Sequence, residues 1–198
     1  YIVLCIVAVF FFQKTILLGL VPFPGDLLVS EYQPWRRQSF LGYAPGAIPQ
    51  KAQYFDTLRQ LYPWKTLVLD ALKAGQFPLW NPYNFSGAPL LANSQSAVFY
   101  PLNIAFGIFS QIQAWTILVM LQPILASFFT YLYCRKVSIS IAASLLSAVA
   151  YGYSLYMSVF LEYNTLGHVI LWLPLALWAI EAAKLGIFGI SIVAAGFA

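Results

Sequence analysis

Residues 114–134 run without one charged side chain, and they are not alone. Residues 1–20, 139–160 and 166–182 are further apolar runs, and another starts at Leu185. A helix rises about 1.5 Å per residue, so about 20 apolar residues cross the roughly 30 Å of bilayer hydrocarbon. Charged residues make up 8% of the chain and mean hydropathy is +0.77. A soluble domain carries about 25% charge, so this chain cannot cover its own surface in water. The pattern predicts an all-α polytopic membrane protein.

Several readings are set aside by the same counts. The net charge of +4 comes with no basic cluster larger than the pairs Arg36–Arg37 and Arg135–Lys136, which argues against a nucleic-acid partner. Cys5 and Cys134 have no metal-ligand spacing and read as inert helix thiols. Tyr1 opens inside an apolar run without an initiator Met, and Ala198 closes inside another, so we expect a portion of a longer protein.

Residues 1–22 read as a first span, stopped by the V-P-F-P-G sequence at residues 21–25. Residues 23–96 differ in character. They hold four of the six acids and six of the ten basic residues, with scattered Pro and Gly. Within them residues 52–74 predict an interfacial amphipathic helix, with Phe55, Leu58, Tyr62, Leu69 and Leu72 set against Asp56, Arg59, Lys65 and Lys73, and a kink or break at Pro63. Residues 98–110 read as interfacial or re-entrant, 114–134, 139–160 and 166–182 as spans, and 185–198 as part of another. Ala, Ser and Gly in residues 139–160 suit close helix packing. Arg135, Lys136 and Lys184 sit in short connections, which places those connections in the cytoplasm and the long loop outside.

The long loop contains an echo. Asp26, Tyr32, Pro34, Trp35 and Arg36 are answered by Asp56, Tyr62, Pro63, Trp64 and Lys65. An acid to take a proton, aromatic faces to stack on sugar C–H groups and a cation to meet phosphate form a toolkit for sugar phosphates. The plainer alternative is that Tyr and Trp anchor the loop at the headgroup level. Residues 78–95, rich in Pro, amide and aromatic groups, are too irregular for a helix.

The order DTLRQLYPW (56–64), PLWNPY (78–83), GAPLLANSQ (87–95) and FYPLN (99–103) resembles the YfhO-like family of bacterial membrane proteins. The likeness covers roughly residues 26–184. That family is grouped with the GT-C glycosyltransferases, and the resemblance implies a GT-C-like helical bundle in a bacterial cytoplasmic membrane, with a large extracytoplasmic first loop. It implies transfer of a sugar from a polyprenyl-phosphate carrier to an envelope glycopolymer or protein acceptor. It also implies an acidic residue early in that loop as catalytic base or metal holder. Asp26 matches this best and Asp56 second. Tyr32, Trp35, Arg36, Arg59, Gln60, Tyr62, Trp64, Trp80, Asn81, Asn93 and Gln95 are then expected to line the substrate site. Glu31, Glu162 and His168 are secondary candidates, and a Mg or Mn ion is an expected option without supporting spacing. Asn164 reads more simply as a helix cap, with His168 an interfacial residue of the first turn. A transporter or flippase, or a non-catalytic assembly subunit, for lipid-linked sugars is the alternative. Transporters place polar groups deep in their spans, and Gln122 is the main such residue here.

Overall fold

The computed structural model describes residues 1–49 and 52–183. The predicted segment 185–198 and Lys184 lie outside them. In chain order the α-helices are α1 (Ile2–Phe11), α2 (Gln13–Leu18), α3 (Leu28–Glu31), α4 (Tyr62–Lys73), α5 (Ala105–Ile108), α6 (Gln111–Lys136), α7 (Ile141–Gly152), α8 (Leu155–Phe160) and α9 (Leu166–Ala183). Two-residue strands, β1 (Trp80–Asn81) and β2 (Ala88–Pro89), pair antiparallel with Trp80 opposite Pro89. Among the described residues three helical stretches are long and apolar enough to cross a membrane: Gln111–Lys136, Ile141–Tyr163 and Leu166–Ala183. The chain divides into one unit of Tyr1–Val21 with Trp115 onward, and a second of Pro22–Ala114.

The first unit is a bundle of apolar helices. The predicted first span is instead two helices, parted at Phe12 and closed by Gly19 in the left-handed region. Ile2–Phe11 alone spans about 15 Å, half of the hydrocarbon. Residues 139–160 are likewise interrupted. Ser140 caps α7, the chain turns at Tyr153, and Ser154 caps α8 by accepting from the Met157 N–H. Along α7 the residues Ser144, Ala148 and Gly152 form a buried stripe of small side chains. A Cβ on Gly152 would run into the Pro123 carbonyl and Ser127 of α6, so the two backbones meet there. Ala126, Met157 and Leu171 form the core between α6, α8 and α9, and Phe129 stacks on Trp172 at 5.7 Å.

The second unit is built around one helical run. Residues 55–56 are α-helical, Thr57–Leu61 form a π-helical turn, and α4 follows without a gap. The predicted break at Pro63 is thus a widened turn. Proline lacks an N–H and its ring crowds the carbonyl four residues back; a π turn moves that carbonyl aside. The buried stripe of this run is Thr57, Leu61, Trp64, Lys65 and Val68. The apolar face expected from the sequence, including Leu58, Leu69 and Leu72, stays half-buried or exposed. Residues 98–110 form a 3₁₀ turn and the single helical turn α5. Gln111, at the start of α6, ties this segment to α4 by donating to the Tyr62 carbonyl at 3.2 Å and the Thr66 hydroxyl at 2.9 Å.

Candidate functional site

Pro24 and Gly25 lead into a 3₁₀ turn, Gly25–Leu27, which carries Asp26. Its neighbours Leu27 and Val29 are fully buried, and this draws the Asp26 carboxylate partly into the unit. Oδ2 receives the Tyr43 hydroxyl at 3.4 Å, while Oδ1 is buried with no hydrogen-bond partner. Tyr43 is held by a two-residue hairpin in which it exchanges backbone bonds of 2.9 and 3.1 Å with Phe40. Leu41 and Gly42 both take positive φ there, 49° and 83°, the signature of a type I′ turn. A buried carboxyl oxygen without a partner is costly, and a hydrogen-bond donor brought to it would relieve that cost.

A cleft of about 390 Å³ lies close along the chain, lined by Ser30, Glu31, Arg36, Ile48 and Phe55. Glu31 is paired with Arg59, whose guanidinium also sits 4.6 Å above the Phe55 ring. Arg36 lies in an exposed 3₁₀ turn, Trp35–Arg37, and has no ion-pair partner among the described residues. The cleft therefore offers one uncommitted cation, Arg36, and an acid, Glu31, that is already paired. Tyr32, just beyond Glu31, is partly buried, and that burial raises its phenol pKa above the usual value.

The second echo is arranged differently. Asp56 is exposed and accepts from the Gln60 amide at 3.2 Å, one helical turn on. Tyr62 meets Phe23 edge-on at 5.0 Å, and burial raises its pKa too. Trp64 is 8% exposed and belongs to the core of the unit. Lys65, expected from the sequence as the second echo's cation and on the polar face of the 52–74 helix, is instead buried at 8% exposure, because it shares the inward stripe with Trp64 and Val68. Its ammonium donates to the Ser96 carbonyl at 2.9 Å and lies 5.4 Å from the Phe106 ring centre. Desolvation pushes its pKa down to about 8.

The remaining expected residues are dispersed. Trp80 is half-exposed and covers Gly87, where a Cβ would collide with the indole. Asn81 is buried and accepts from the Tyr83 N–H at 2.9 Å; Asn93 accepts from the Gln95 N–H at 3.1 Å, and Gln95 itself is exposed. Both asparagines thus shape their own turns. Glu162 and His168 belong to the first unit. His168 is buried rather than interfacial, 2.9 Å from the Asn164 side-chain oxygen. Asn164 takes a left-handed conformation and bonds side chains instead of capping α9. Gln122 is fully buried and donates to the Leu161 carbonyl at 3.1 Å; Gly167 leaves the room it needs. Among the described residues no three His, Cys, Asp or Glu side chains gather as metal ligands.

Tyr43 was missed by the residue patterns, although Leu-Gly between two aromatics is a readable turn signal. Searches of protein-family models, of curated proteins and of solved structures find no match to this chain.

Proposed function

We propose that the chain is part of a membrane glycosyltransferase that moves a sugar from a polyprenyl-phosphate carrier to a cell-envelope acceptor. It works at the extracytoplasmic face of a bacterial cytoplasmic membrane, in a GT-C-like helical bundle. The observation that carries this reading is Asp26, half-buried with Oδ1 buried and unpaired. Such a carboxylate suits a general base, because it gains a hydrogen bond only when an acceptor hydroxyl arrives. In the reaction that hydroxyl gives its proton to Asp26 as its oxygen bonds the sugar C1. The bond from C1 to the carrier phosphate breaks, and the phosphate leaves with the electron pair. Arg36, uncommitted in its cleft, meets the charge of that phosphate. One direct displacement inverts the anomeric centre. Asp56, exposed and engaged by Gln60, is the weaker base.

The test uses the full-length parent protein in liposomes with radiolabelled polyprenyl-phosphate hexoses and a crude envelope acceptor. Asp26→Asn is expected to lose transfer by about a thousandfold with lipid binding kept, and Asp56→Asn by less than about tenfold. Wild-type protein that binds every carrier yet releases no sugar ends the transferase reading.

A second reading, movement of a lipid-linked sugar without bond-making, is favoured by one observation: the buried Gln122 and His168 meet at the partly buried Asn164 within the first unit. Gln122→Leu is expected to abolish carrier translocation if that reading holds, and to leave transfer intact if the first does.

A further inference from the structure

The Lys65 cleft is a second cavity of the Pro22–Ala114 unit, and the proposed reaction makes no use of it. It measures about 340 Å³, at the small end of the range of about 300–1,000 Å³ for ligand pockets. Its lining is sharply divided. Lys65 is nine-tenths buried, and among the described residues no carboxylate forms an ion pair with it. One of its three N–H donors goes to the Ser96 carbonyl and its charge lies near the Phe106 ring, which leaves an ammonium unneutralised. Around it the wall is mostly apolar, from Val68 and Leu69 to Leu72, Phe99 and Ile104, with Tyr100 and Asn103 the further polar side chains. Leu72, Phe99 and Ile104 are exposed by 48%, 74% and 72%, so the rim of the cleft is greasy while a cation sits within. A buried ammonium without an anion is stable only at high cost. An anion alone would satisfy the charge but leave the rim wet; an apolar ligand alone would do the reverse.

We infer that the Lys65 cleft binds the phosphate headgroup of an anionic membrane lipid, with the ammonium on the phosphate and the lipid chain running out over Leu72, Phe99 and Ile104. The ammonium supplies charge-assisted hydrogen bonds to phosphate oxygens, and the rim removes the first part of the acyl chain from water. Lipid bound in this way fastens the helix Tyr62–Lys73 and the turn Pro101–Ile104 to a bilayer surface. This site is independent of the transferase reading and stands or falls separately from it.

The test is native mass spectrometry of the full chain in dodecyl maltoside, with dioleoyl phosphatidic acid as probe. Dioleoylglycerol is the comparison with the same chains and no phosphate, and millimolar inorganic phosphate serves as competitor. Phosphatidic acid is expected to be retained over dioleoylglycerol, unaffected by inorganic phosphate, and to lose about tenfold in affinity in Lys65→Met. Ile104→Glu keeps the lysine and its Ser96 contact, and its carboxylate at the exposed rim is expected to cause a similar loss even where Lys65→Met fails to fold. Equal retention of the two lipids, or of phosphatidic acid by wild type and both variants, overturns the inference. Displacement by inorganic phosphate also overturns it, since the ligand is then a free anion and the rim plays no part.

Discussion

The two echoes of acid, tyrosine, Pro-Trp and cation share a unit but invert each other's environment. In the first, Asp26 is drawn inward with an unpaired oxygen, while Arg36 stands exposed in a cleft. In the second, Asp56 is exposed and Lys65 is buried. The backbone explains the exchange. The first echo leaves the helical region at Tyr32, which is extended, before Pro34 begins a new turn. In the second echo Tyr62 stays helical and Pro63 enters the first turn of α4 after the π turn. A continuous helix puts positions 57, 61, 64, 65 and 68 on one stripe, so the cation three residues after the tyrosine must go in with Trp64. A broken run imposes no such companion. Residues of the same chemistry therefore put an exposed cation in an open cleft in one place and a buried cation in the other.

The largest effect that separates the echoes is on transfer. The expected gap between Asp26→Asn and Asp56→Asn, at least about a hundredfold, corresponds to about 3 kcal/mol or more of transition-state stabilisation. Equal losses would erase the distinction. The tryptophans test packing. Trp64→Ala is expected to destabilise the chain by about 3 kcal/mol or more, as buried aromatics do, and Trp35→Ala by less than about 1 kcal/mol. Denaturant midpoints in detergent micelles would show the difference. The cation of the second echo should be visible in pH dependence. Its folded pKa, about 8, lies below lysine's ordinary value of 10.5, so the cost of burying the charge is fully present below pH 8. That cost fades as pH rises towards 10.5, where the unfolded lysine also loses its proton. Relative to Lys65→Met, delipidated wild type should therefore gain up to about 3 kcal/mol between neutral and high pH. A flat difference would mean that Lys65 is solvated. The smallest effect is expected at the exposed Glu31–Arg59 pair, where Arg59→Ala should change stability by less than about 1 kcal/mol, weakening further in salt.

Much of the membrane-crossing part was readable in the residues. Stretches such as 114–134 announce their solvent because no other environment accepts them. The breaks inside apolar runs were harder. Phe12 interrupts the first helix with φ −97° and ψ 21°, and nothing in its hydrophobicity signals this. The break before Ser154 was accessible, since serine is a preferred N-cap and bonds the Met157 N–H. The long loop gave up its irregularity and its echo but not which groups face inward. For the 52–74 segment, spacing selected Phe55, Leu58, Tyr62, Leu69 and Leu72, whereas the buried stripe runs through Thr57, Leu61 and Trp64. Both faces carry apolar residues, and a π turn shifts the phase between its two ends.

Alone, the sequence determined that the chain is helical, apolar and matched to a bilayer, and its two echoes each marked an acid and a cation worth watching. Those are consequences of composition and period, which act on each segment by itself. Tertiary structure decided which of the two echo acids holds a buried unpaired oxygen, which of their cations is stripped of water and which aromatic is core. Burial and partnership depend on groups distant in the chain: Tyr43 on Asp26, Glu31 on Arg59, Ser96 on Lys65. A charge is made reactive or costly by what surrounds it, and only folding brings those surroundings together.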